Sequence, residues 1–238
     1  MMKLLLLSNS TNPGEPYLGY PKQTIKQFLG DKPLNIVFIP YAAVTFSYDE
    51  YAAKVNESLQ EVGIQVKGIH TFVNAKEAIC TADAIMIGGG NTWKLTRMLQ
   101  ENDLIDLIRE KVNMGTPYIG WSAGSNVACP TLRTTNDMPI VAPLSFDTLN
   151  LVPFQLNPHY LDAHPENHGG ETREMRISEF IIENPDIYVV GLRESTILRF
   201  ENGKLSLIGD RSARIFKFGK EPYELTSKDD FNFLVNLN

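Results

Sequence analysis

A serine flanked by two glycines, Gly120-Trp121-Ser122-Ala123-Gly124, continues the apolar run Tyr118-Ile119 and leads into a short stretch of helical character. This is the spacing of a nucleophile elbow, in which a strand turns sharply into a helix and pushes the serine hydroxyl outward. Glycine is needed on both sides because the backbone reverses so tightly that a side chain there would meet the neighbouring strand or helix. The hydroxyl would emerge at the carboxyl end of the strand. There the following N–H groups, with a helix N-terminus behind them, can stabilise a developing oxyanion. A tight turn carrying a solvated serine has the same pattern, so the rest of the chemistry must be sought elsewhere in the chain.

A serine hydroxyl is a weak nucleophile at neutral pH and needs a base, which in turn needs an orienting group. The chain has 4 histidines. His70 closes an early strand, whereas His159, His164 and His168 all follow the elbow. His159 comes directly after Pro158, which stiffens the backbone ahead of it, and is the candidate base; a structural or surface histidine is the plain alternative. Two acids fit the third place. Glu194 lies just past a strand ending at Gly191, on the edge where α/β active sites gather, and Asp137 lies in an irregular segment where an aspartate can equally order its own loop. Spacing leaves both open. A second glycine-rich turn, Gly88-Gly89-Gly90-Asn91-Thr92, follows another buried run and opens a helix, so its bare N–H groups can cradle an anion or supply half of an oxyanion hole. The set His159, His164 and His168, with Asp162, Glu166 and Glu171 among them, raises a metal site. It falls in a Pro- and Gly-bearing loop that gives ligands no common helical face, and no metal or other cofactor is expected.

The elements that must position these groups alternate. Apolar runs at 4–7, 36–39, near 64–69 and at 84–87 read as buried strands. Helical patterns near 22–29, 47–62, 76–81, 92–99 and 104–114 separate or follow them. Ser47-x-x-Glu50 is a capping box, with Tyr51, Ala52, Val55, Leu59 and Val62 on one helical face. Strand after helix after strand means an α/β fold with a mostly parallel central sheet covered on both faces. Irregular chain is expected from Pro130 to Asn157, a helix over 171–183 and a strand over 187–190. Asn202-Gly203 marks a hairpin, and with one more strand at 214–218 the tail reads as an antiparallel extension of the sheet.

The chain of 238 residues shows no linker, repeat or charge block and reads as a single domain over 1–238. Its formal charge of -6, with both signs interspersed, argues against nucleic acid or an anionic membrane as partner and favours a small ligand. The apolar run after Met1 stops at Ser8, too short for a signal peptide. Cys80 and Cys129 sit in apolar surroundings and read as buried free thiols of a cytoplasmic protein.

Several stretches together carry a resemblance: Leu4 to Thr11, Gly88 to Thr92, Tyr118 to Asn126, Cys129-Pro130-Thr131, Arg133 to Val141, Asn157-Pro158-His159 and Gly170-Glu171-Thr172-Arg173-Glu174. They resemble the peptidase E (α-aspartyl dipeptidase) family over nearly all of the chain to about Glu194. The resemblance implies a class I glutamine amidotransferase-like fold and a serine peptidase acting on dipeptides that begin with aspartate. Ser122 would be nucleophile, His159 base, and Asp137 or Glu194 the third member. N–H groups near Gly89 or Gly90 and of Ala123 would form the oxyanion hole. A substrate β-carboxylate calls for a guanidinium, and Arg173 in the matching Glu-Thr-Arg-Glu stretch is the candidate; Asn91 would either help hold the ligand or cap its helix. The partner is then a small peptide, with monomer and homodimer both open. The alternatives are a related hydrolase of β-linked or polymeric aspartyl substrates, in the manner of cyanophycinase, and a non-catalytic ligand-binding homologue.

Overall fold

The computed structural model describes residues 1–32, 34–162 and 169–236. Strands are β1 Leu4–Leu7, β2 Ile36–Ile39, β3 Val66–Gly68, β4 Ala84–Ile87, β5 Tyr118–Trp121, β6 Gln155–Pro158, β7 Val189–Leu192, β8 Ile197–Glu201, β9 Lys204–Ile208, β10 Ala213–Phe216 and β11 Tyr223–Leu225. Helices are α1 Lys22–Leu29, α2 Tyr48–Leu59, α3 Ala75–Thr81, α4 Thr92–Glu101, α5 Ile105–Asn113, α6 Ala123–Asn126 and α7 Arg173–Glu183.

The main sheet has the order β3-β2-β4-β5-β1-β8-β9, parallel from β3 through β1 and antiparallel across β8 and β9. Its strands β1, β2 and β4 are unbroken apolar runs because both faces are covered there. Leu4 and Leu6 pack with Ile85, Ile87 and Tyr118 on one face, and Leu5 and Leu7 with Phe38, Met86 and Trp121 on the other. The predicted capping box is present: Ser47 Oγ accepts from Glu50 N at 3.1 Å, and Ser47 N donates to Glu50 Oε2 at 2.7 Å. The hairpin at Asn202-Gly203 joins β8 to β9, as its turn residues require.

Three expectations are corrected. The tail does not simply extend one sheet: β8 and β9 do so, but β10 and β11 join β7 and β6 in a second sheet, ordered β11-β10-β7-β6. That sheet has a small core of its own, where Val189, Tyr160 and Phe216 pack with Ile177 and Ile181 of α7. The irregular segment after Pro130 ends in the strand β6, parallel to β7 with Pro158 opposite Leu192. A proline is tolerated there because β6 is an edge strand. Cys129 is buried, and burial pushes its thiol well up, but Cys80 is exposed at the end of α3. Among the described residues no helix is long and apolar enough to cross a membrane.

Candidate functional site

The carboxyl ends of five strands converge. After β5 the chain turns at Ser122 with φ 53° and ψ -111°, a left-handed conformation that a non-glycine residue adopts only when its surroundings impose it. The surroundings here are the two glycines. A Cβ on Gly120 would lie inside contact distance of the Gly124 carbonyl, and one on Gly124 inside that of the Ile87 carbonyl. Ser122 N donates to Leu7 O at 3.1 Å, and the Ser122 carbonyl accepts the first N–H groups of the following turn, from Ser125 at 3.0 Å and Asn126 at 2.9 Å.

His159 follows β6, also with positive φ (54°), and its ring lies between the two remaining partners. His159 Nε2 is 3.0 Å from Ser122 Oγ, and His159 Nδ1 is 2.7 Å from Glu194 Oε1. A carboxylate only accepts, so the Nδ1 proton points at Glu194 and Nε2 is left as the acceptor for the serine hydroxyl. Glu194 follows β7, and its neighbour Ser195 is fixed by N–H donation to Asn9 Oδ1 at 2.9 Å. Of the two candidate acids, Glu194 is the one brought to His159. Asp137 instead accepts from Thr92 N at 2.7 Å and Thr92 Oγ1 at 2.6 Å through Oδ2, at the start of α4.

Ser8 is the residue that sequence reasoning missed. Its buried hydroxyl accepts from His159 N at 2.9 Å and donates to Leu192 O at 2.7 Å, tying the ends of β1, β6 and β7 together. The signal was available: a serine immediately after a wholly buried strand, on the carboxyl edge of the sheet.

Gly89 packs directly against Ser122, and Tyr51 Oη donates to Gly89 O at 3.0 Å, which fixes the loop. Among the described residues the N–H groups of Gly89, Gly90 and Ala123 have no acceptor, so they are free to serve an oxyanion. Asn91 takes the capping role: its Oδ1 accepts from Lys94 N at 3.0 Å at the start of α4, and its Nδ2 donates to Met138 O at 2.9 Å.

Two cavities share Ser122 and His159. The first, about 270 Å³, is lined by Thr92, Asn126, Asn136, Asp137 and Arg173. Arg173, at the first turn of α7, donates to Asn136 Oδ1 and has no carboxylate within ion-pairing distance among the described residues. Partial burial and the nearby Arg176 guanidinium lower its pKa, against the opposing influence of Asp137. In the same cavity wall Asn126 Oδ1 is buried without a partner, and Asp137 Oδ1 accepts no hydrogen bond among the described residues. The second cavity, about 470 Å³, opens on the side of Gly89 and Gly90.

Among the described residues no group of three or more His, Cys, Asp or Glu is placed to hold a metal ion, while His164, His168 and Glu166 of the histidine-rich loop lie outside those residues.

The chain as a whole is similar to known proteins. A protein named peptidase E from Nostoc sp. (strain PCC 7120) is 54% identical over 233 residues, covering 98% of this chain and 96% of its own. Another of that name from Salmonella paratyphi A is 46% identical over 230 residues, covering 97% of this chain and all of its own. The crystal structure of a peptidase from an acI-B1 actinobacterium superposes with a TM-score of 0.70 at 19% identity, covering 97% of this chain and 96% of that one, which shows a shared fold. With the profile of peptidase family S51 matching residues 4–208, the chain belongs to that family of peptidases.

Proposed function

We propose that the protein is a serine-type dipeptidase that hydrolyses Asp-Xaa through an acyl-enzyme on Ser122. The observation that carries the substrate is the guanidinium of Arg173, which pairs with no carboxylate among the described residues and stands in a small polar cavity opening on the Ser122 hydroxyl. An N-terminal aspartyl residue offers that cavity two charges, and both find partners of opposite sign. Its β-carboxylate meets Arg173, and its α-ammonium meets the acceptors Asp137 Oδ1 and Asn126 Oδ1.

In the reaction His159 Nε2 takes the Ser122 proton as Oγ attacks the aspartyl carbonyl. The new oxyanion is received by N–H groups of Ala123 and of Gly89 or Gly90. Glu194 holds the imidazole orientation and stabilises the imidazolium that forms. His159 then returns the proton to the departing amine, and a water deprotonated by the same nitrogen hydrolyses the ester.

The test measures kcat/KM on Asp-Leu, Glu-Leu and Asn-Leu for wild type and Arg173→Met. Wild type is expected to favour Asp-Leu over Asn-Leu, and the variant to lose roughly tenfold to a hundredfold on Asp-Leu, the range of a charge-assisted hydrogen bond. An unchanged Asp-to-Asn ratio in the variant would remove the specificity claim. Including β-linked Asp-Leu separates this reading from hydrolysis of β-aspartyl substrates.

A further inference from the structure

The second cavity has a chemistry distinct from the first. Its wall is aromatic: Phe46 and Tyr51 stand edge to face with centroids 5.2 Å apart, and Tyr17 meets Tyr51 at 6.5 Å. Phe46 is 45% exposed, an aromatic face at the mouth that is left open to solvent. At its rim stands Lys54, one turn along α2 from Glu50. Lys54 Nζ sits over the Tyr17 ring, 4.4 Å from its centroid, and among the described residues it pairs with no carboxylate. Glu50 also lines the cavity, but its carboxylate is turned to the helix cap, where Oε2 accepts the Ser47 N–H and hydroxyl, and it makes no ion pair with Lys54.

Resting on the aspartyl dipeptidase reading, we infer that this cavity receives the residue after aspartate, with an apolar side chain against Tyr17, Phe46 and Tyr51 and its free α-carboxylate on Lys54. The argument is one of position and charge. The first cavity is fitted to the acidic residue by Arg173, so the leaving residue takes the other space that opens on Ser122 and His159. The departing amine then lies beside His159, which must protonate it. A cation at the far side of a dipeptide-sized space meets a chain end and gives a longer peptide no countercharge there. Lys54 would therefore be what makes the enzyme count two residues, complementing the cation that reads the first.

Wild type, Lys54→Met and Lys54→Arg are compared on Asp-Leu and on Asp-Leu amide, which differ only in the charge at the C-terminus. Wild type is expected to prefer the free acid by roughly tenfold to a hundredfold in kcat/KM, carried by KM. Lys54→Met brings that ratio close to one, and Lys54→Arg restores most of it. A wild-type ratio near one, or a ratio unchanged in Lys54→Met, overturns the inference while leaving the aspartyl reading intact. If wild type cleaves neither compound although a fluorophosphonate still labels Ser122, the aspartyl reading itself has failed and this inference falls with it.

Discussion

Replacing Glu194 by glutamine keeps the size and shape of the side chain and changes what it offers to His159. The 2.7 Å contact from Oε1 to Nδ1 fixes the imidazole proton on Nδ1. A glutamine amide can donate at that position, which favours the tautomer protonated on Nε2. That nitrogen lies 3.0 Å from Ser122 Oγ and could then no longer accept the serine proton. Loss of the third member of a triad in this way costs about four orders of magnitude in kcat, or about 5 kcal/mol of transition-state stabilisation. Asp137→Asn gives the contrasting expectation. Its Oδ2 contacts with Thr92 are ones an amide oxygen can keep, so kcat should stay within about tenfold while KM for an aspartyl dipeptide rises, because a charge facing the α-ammonium has gone. Steady-state release of leucine from Asp-Leu gives kcat and KM separately. The rate of fluorophosphonate labelling reports the reactivity of Ser122 without depending on substrate binding. If Asp137→Asn collapsed kcat and labelling while Glu194→Gln left both within tenfold, the assignment of the orienting acid from geometry would be wrong.

Other expectations are as direct. Ser122→Gly and Ser122→Ala should both be inactive, but glycine suits φ 53° and ψ -111° better, so it should melt about 2–4 °C higher, corresponding to about 1 kcal/mol; equal Tm values would mean that the turn is unstrained. Burial pushes the Glu224 carboxyl up, but hydrogen bonds from Arg193, Ser212 and Arg214 outweigh it and hold the pKa at about 2, against an ordinary value of 4.5. A depressed carboxylate stabilises the fold above its ordinary value and loses that contribution as pH falls toward the folded one. Tm should therefore decline between about pH 5 and pH 2, and Glu224→Gln should flatten that decline; an unaltered acid slope would remove Glu224 from the account.

What could be read in advance was what local chemistry dictates. The elbow is legible because only glycine avoids the Gly124 and Ile87 carbonyls, and the capping box because Ser47 and Glu50 satisfy each other within one turn. The wholly apolar strands β1, β2 and β4 announce a sheet covered on both faces. Long-range choices left no local mark. Whether β10 pairs with the main sheet or with β7 is decided by the separate core under α7, and β6 was hidden because Asn157 and Pro158 are poor strand formers away from an edge. The choice between Asp137 and Glu194 likewise depends on which segment the fold brings to the end of β6, and Asn91 shows its capping role only through its bond to Lys94 N. Cys80 looked buried from its apolar neighbours, but it faces outward from a short helix.

The contacts of the Ser8 hydroxyl can form only after distant parts of the chain exist. It comes from the first strand, yet what it holds are a backbone N–H at position 159 and a carbonyl at position 192, and β1 lacks one of its two neighbours in the sheet until residues 197–200 have been made. On the mechanism proposed above, a nascent chain carries Ser122 for many residues before His159 and Glu194 can be set against it.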